Sequence, residues 1–161
     1  MNILMIEDEE VKARRIESAV RKLLPSCQIK VERSVNSGLA ALVEFTPDLL
    51  LLDMSLTTFS VGPREAGGRP QNFGGIEVLD QMERLELEVP TIIITQFETF
   101  RRGSVEISVK TIRAELEQQY KTVFRSLISY NSADARWEKE LGRSLMDPTY
   151  RGGNNGKGTN R

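Results

Sequence analysis

The chain has 161 residues, 22 Lys+Arg against 23 Asp+Glu for a formal net charge of -1, one cysteine and no histidine. Such a length suits one domain with a single core; the lone Cys27 excludes internal disulfides and multi-cysteine zinc clusters, and the absence of histidine excludes Ser-His-Asp or Cys-His catalysis, a zincin helix and a phosphohistidine carried by this chain. Near-neutral charge speaks against a general nucleic-acid binder, and apolar runs such as Leu49 to Leu52 fall far short of the ~20 residues that cross a bilayer, so a cytoplasmic protein is expected.

Asn2 to Ile6 is an apolar run of strand length that stops at Glu7-Asp8-Glu9-Glu10, as a strand buried on both faces would. From Glu9 to Leu24, Ala13, Ile16, Val20 and Leu23 recur at helical spacing, with acids in the first turn, bases in the last and Pro25 as a stop. Gln28 to Glu32 alternates as a short strand, and Ser37 to Glu44 carries Leu39, Leu42 and Val43 as a short helix. Pro47-Asp48 precedes Leu49 to Leu52, a second buried strand that also ends in a carboxylate, Asp53.

Residues 57–75 are rich in Gly and Pro and read as a long loop, in which Gly67-Gly68 and Gly74-Gly75 supply turns. Ile76, Leu79, Met82 and Leu85 then give a helical stripe, and Pro90 opens the β-branched strand Thr91 to Thr95. A second polar loop, 97–107, leads to a helix through Val109, Ile112 and Leu116 that Ser108 caps. Val123 to Tyr130 is the last strand, and Ser132 caps a final helix striped by Trp137, Leu141 and Leu145 and stopped by Pro148. The tail, 149–161, carries three of the 22 basic residues and none of the acids; it lacks an apolar anchor and is expected to be disordered, leaving an acidic domain over 1–148.

Alternating strands and helices predict an α/β, doubly wound, five-stranded parallel sheet with helices on both faces. In such folds ligands bind beyond the carboxyl ends of the strands. If the first and third strands are neighbours, Glu7, Asp8 and Asp53 converge there. Crowded carboxylates raise one another's pKa unless a cation neutralises them, and an oxygen cluster of this kind suits Mg²⁺.

The ordered set Met1 to Glu10, Pro47-Asp48-Leu49-Leu50-Leu51-Leu52-Asp53-Met54-Ser55, Gly74 to Leu79 and Pro90 to Thr95 resembles the receiver domain of two-component response regulators, over roughly the first 100 residues. The resemblance implies a flavodoxin-like strand order of 2-1-3-4-5. It further implies Asp53 as phosphoacceptor, Mg²⁺ held by Glu7, Asp8, Asp53 and the Ser55 carbonyl, and Thr95 as the switch hydroxyl. By the same resemblance the chain is a non-enzymatic, stand-alone phosphorelay module. Its partners would be a histidine kinase or other phosphodonor and a downstream protein, with no direct contact to nucleic acid or membrane and with a homodimer left open.

The pattern departs from the family at the fifth strand. Phe124 to Asn131 contains no lysine, although the family ends this strand in one that pairs with the phosphoryl group. Tyr130 or a neighbour takes the place, and nothing in the positions of Lys110 or Lys121 brings either of them in. Gln96 and Phe97 follow Thr95 where a small residue is usual, and the long flanking loops suit a lid or a partner surface. A phosphorylation-independent pseudo-receiver that acts as a protein-binding module is therefore an alternative. A haloacid dehalogenase-type hydrolase fits less well, because Ser55 stands where that family needs a second acid.

Overall fold

The computed structural model describes residues 1–57 and 73–147. The expected tail, Pro148 and most of the Gly/Pro-rich loop lie outside the described residues.

Five strands form one parallel sheet: β1 (Asn2–Ile6), β2 (Gln28–Glu32), β3 (Leu49–Leu52), β4 (Thr91–Thr95) and, later in the chain, β7 (Phe124–Ser129), in the order β2-β1-β3-β4-β7. The fifth strand of the sheet is thus β7, and the order is the expected 2-1-3-4-5. The register sets Ile6 opposite Leu52 and Leu52 opposite Ile93, so the carboxyl ends of the three central strands lie side by side. At the far edge an extra residue between the Thr91–Phe124 and Ile92–Ser126 pairs makes a bulge in β7.

The central strands are apolar on both sides because both faces are covered. Leu4, Ile6, Leu50, Leu52, Ile93 and Leu127 point to a core shared with α2 (Val35–Phe45), α3 (Gly74–Arg84) and α4 (Val109–Gln119). Ile3, Met5, Leu49, Leu51, Ile92 and Ile94 point to a second core under α1 (Glu10–Leu23) and α5 (Arg136–Met146).

Local chemistry explains the helix boundaries. The Ser34 and Ser108 hydroxyls accept hydrogen bonds from the Ser37 and Thr111 N–H groups and cap α2 and α4. Ser132 does not cap α5. The helix begins later, after Ala135, and the turn before it is closed by the Asn131 and Asp134 carboxamide and carboxylate oxygens, which accept from the Ala133 and Arg136 N–H groups. Helix α3 begins two residues earlier than expected, so Gly74-Gly75 open a helix instead of a turn, and Leu85 lies just past its end, exposed.

The segment read as a polar loop after Thr95 contains a β-hairpin, β5 (Thr99–Arg102) and β6 (Val105–Ser108). Gly103-Ser104 forms its two-residue turn, with Gly103 at φ 64°, where L-residues are rare. Phe100 is the hairpin's anchor, buried in the α2/α3/α4 core and stacked 5.7 Å from Phe73.

Candidate functional site

Four hydrogen bonds from backbone N–H groups build the site at the carboxyl edge of the sheet. The Asp53 N–H donates to Ile6 O and the Glu7 N–H to Glu32 O, which carries each acid just past its strand. The Glu7 carboxylate accepts from the Glu9 N–H (3.1 Å), and Asp53 Oδ2 accepts from the Ser55 N–H (3.1 Å). Glu7, Asp8 and Asp53 each offer an oxygen within 4.8 Å of the others. Glu7 and Asp53 are 2% and 5% exposed, while Asp8 is partly exposed at the mouth. Ser55 is buried in the same turn as Asp53.

Glycine makes room behind this turn. A Cβ on Gly75 would stand 2.6 Å from the Asp53 carbonyl oxygen and 2.9 Å from Met54 Cα. The Gly75 N–H donates to Met54 O at 2.9 Å. Main chain thus meets main chain, and α3 packs directly on the loop that carries Asp53.

The cation found at the site is internal and unexpected. Lys12, in the first turn of α1, is 1% exposed and places its Nζ 2.7 Å from Asp53 Oδ1 and 2.7 Å from Glu7 Oε2. Burial alone would lower its pKa. The Asp53 and Glu7 charges and the hydrogen bonds to both outweigh that and hold the ammonium above its ordinary value. The acids are also raised, which for them favours the neutral form: burial, then the Asp53 charge, lifts Glu7 to about 7, and the same two causes raise Asp8. Burial also raises Asp53, against the pull of Lys12. One ammonium is too little charge for three carboxylates.

That imbalance, with a hard oxygen donor set inside one small volume, fits a divalent cation such as Mg²⁺. Glu7, Asp8 and Asp53 are the carboxylates that could hold one.

Thr95 ends β4 fully buried, and its hydroxyl accepts a hydrogen bond from the Phe97 N–H at 3.2 Å. The Tyr130 N–H, just past β7, donates to Thr95 O at 2.7 Å. The Tyr130 ring lies 5.8 Å from the Lys12 ammonium and 5.0 Å from the Trp137 ring. Gln96 and Phe97 are exposed and line, with Tyr130 and Asn131, a cleft of about 490 Å³ at the ends of β4 and β7. The Phe97 ring packs edge-on against Phe100 at 6.1 Å.

All five residues expected at the site therefore stand at the carboxyl ends of β1, β3 and β4. Lys110 and Lys121 are exposed, on α4 and just beyond it. The lysine that reaches Asp53 is Lys12, which sequence reading passed over. Its signal was present: Lys12 precedes Ile16 and Val20 at four-residue intervals, on the buried stripe of α1, and a cation in the first turn opposes the helix dipole.

No protein-family model matches the chain. It is 29% identical over 143 residues, 88% of this chain and 94% of the relative, to the uncharacterized protein y4jR of Sinorhizobium fredii. To the Detocs response regulatory protein DtcB of Enterobacter cloacae it is 26% identical over 149 residues, 91% of this chain and 99% of the relative. Among solved structures, a CheY-like response regulator receiver domain protein from Methanospirillum hungatei aligns with a TM-score of 0.60 at 14% identity, covering 94% of this chain and 98% of that one. The Mn²⁺-bound form of response regulator Rcp1 aligns with a TM-score of 0.52 at 17% identity, covering 88% of this chain and 89% of that one. At these identities the structural matches show the fold. Among the described residues no helix is long and apolar enough to cross a membrane.

Proposed function

We propose that the chain is a response regulator receiver domain that works as a phosphoacceptor module in a two-component phosphorelay, taking a phosphoryl group on Asp53 and signalling through a protein partner. The observation that carries this reading is the convergence of Asp53 with Glu7 and Asp8 at the carboxyl edge of the sheet. When bound by Glu7, Asp8, Asp53 and the Ser55 carbonyl, Mg²⁺ would supply charge neutralisation for the phosphoryl oxygens.

The chain's own residues do the rest. An Asp53 carboxylate oxygen attacks the phosphorus of a phosphohistidine on a kinase, or of a small phosphoramidate. A P–O bond forms as the P–N bond breaks; the electron pair stays on the donor nitrogen, which takes a proton from solvent. The Ser55 N–H holds the Asp53 carboxylate in one orientation for attack. The Thr95 hydroxyl accepts from Phe97 and keeps its own proton free to donate to the acyl phosphate, which would couple the phosphoryl group to the loop entering the hairpin. The module turns over no substrate of its own.

Intact-mass measurement after treatment with phosphoramidate and Mg²⁺ tests this. One added phosphoryl group on the wild type and none on Asp53→Asn is expected; a wild type that gains none overturns it. One observation favours a second reading, a pseudo-receiver working by protein contact: Lys12 already pairs Asp53 and Glu7. An Asp53→Ala protein that kept full control of its partner would establish it.

A further inference from the structure

We propose that Lys12, from the first turn of α1, is the phosphoryl-pairing cation of this receiver, reaching Asp53 from the helix side of the sheet while the end of β7 carries Tyr130. The proposal rests on Asp53 being the phosphoacceptor.

Placement is the first argument. An ammonium buried without partners is strongly unfavourable, and a cation in a helix's first turn faces the positive end of the dipole. Lys12 bears both costs and is 1% exposed. What offsets them are the two carboxylates at 2.7 Å, one of them Asp53. A lysine with only a packing role would gain nothing from that position.

Reach is the second argument. Lys12 already touches an Asp53 oxygen, so a phosphoryl oxygen added there comes within range by side-chain torsion alone. An ammonium has three donors. Two are spent on Glu7 Oε2 and Asp53 Oδ1, and the Tyr130 ring flanks the group at 5.8 Å. Phosphorylation replaces the single carboxylate charge with about two negative charges spread over phosphoryl oxygens, so the ammonium gains a stronger partner than the one it leaves. Moving toward the phosphoryl group also frees Glu7 Oε2.

The third argument is the neighbourhood of β7. The strand from Phe124 to Ser129 and the residues just after it contain no lysine, and the Tyr130 ring neighbours both the Lys12 ammonium (5.8 Å) and the Trp137 ring (5.0 Å). A change at the ammonium is thus one side chain away from the chain's single tryptophan.

The test uses the full chain as wild type, Lys12→Gln, Glu7→Gln and Lys12→Gln/Glu7→Gln. Each is titrated with beryllofluoride in Mg²⁺ while Trp137 emission is followed, then treated with phosphoramidate and timed by intact mass. Loss of Lys12 is expected to weaken beryllofluoride binding and slow phosphorylation by about 100-fold or more, the scale of losing one preorganised electrostatic contact to the transferring group. Circular dichroism reports folding. Should Lys12→Gln alone fail to fold, the double variant compared with Glu7→Gln gives the same answer without leaving an unpaired Glu7 charge. Variants lacking Lys12 that bind and react as their parents do, or faster, overturn the proposal while leaving Asp53 as phosphoacceptor. A wild type that takes neither probe overturns both.

Discussion

At Lys12 a single side chain sets the electrostatics of the whole site. Removing one partner from a buried ion-pair cluster leaves uncompensated charge, so Lys12→Ala in metal-free protein should cost about 3–5 kcal/mol, read by urea unfolding; a loss near zero would mean that the carboxylates find other partners. Glu7 makes the pH dependence. Its folded pKa of about 7 lies above its ordinary value of 4.5, so the folded state binds the extra proton. Its contribution to stability is therefore fully present below the ordinary value and lost as pH rises through about 7. The raised Asp8 and Asp53 act in the same direction, whereas the raised Lys12 pKa matters only at the alkaline end. Metal-free protein should thus be less stable at about pH 8 than at about pH 5, and Glu7→Gln should flatten that slope. An unfolding free energy that rose with pH over this range would contradict the assignment.

Among the elements, α3 and the hairpin make opposite kinds of contact. At Gly75 helix α3 meets the Asp53 turn main chain to main chain, and a Cβ there would stand 2.6 Å from a backbone oxygen that cannot swing aside. Gly75→Ala should therefore destabilise by about 1–3 kcal/mol and slow phosphorylation of Asp53, since the turn must move with the helix. An alanine variant with unchanged melting temperature and unchanged rate would show that α3 can shift freely. The hairpin instead has one fully buried ring, Phe100, with Ile107 packed beside it. Phe100→Ala should cost about 3–5 kcal/mol, whereas Arg102→Ala, which breaks the exposed pair with Glu115, should cost under ~1 kcal/mol. Comparing the two by chemical denaturation separates burial from surface charge.

The molecule as a whole places a charge deficit at one edge of its sheet. Three carboxylates share one ammonium there, so a divalent cation that binds the folded state alone must stabilise it. At a hundredfold excess over Kd the gain is about 2.7 kcal/mol, several degrees in melting temperature. Mg²⁺ and Mn²⁺ should both raise it, more at alkaline pH where the acids are ionised, and Asp8→Asn should abolish the rise. No shift with either ion would remove the metal from the account. Helices on both faces leave this edge, with the cleft beside β7, as the place where the neighbourhood of Asp53 opens to solvent.

Much of this was legible in the residues. Apolar runs marked β1, β3 and β4 residue for residue, two of them ending at a carboxylate and β4 opened by Pro90, since strands buried on both faces need largely apolar sequence. Their order placed Glu7, Asp8, Asp53 and Thr95 at one edge. The hairpin was hidden because its four-residue strands bury one ring between them, too little for a period, though Gly103-Ser104 marked its turn. Lys12 was hidden for another reason. Sequence spacing shows which side of α1 is buried; only the packing of α1 over the sheet decides that the end of that stripe lies above Asp53, where an ammonium is held by charge instead of being expelled to water.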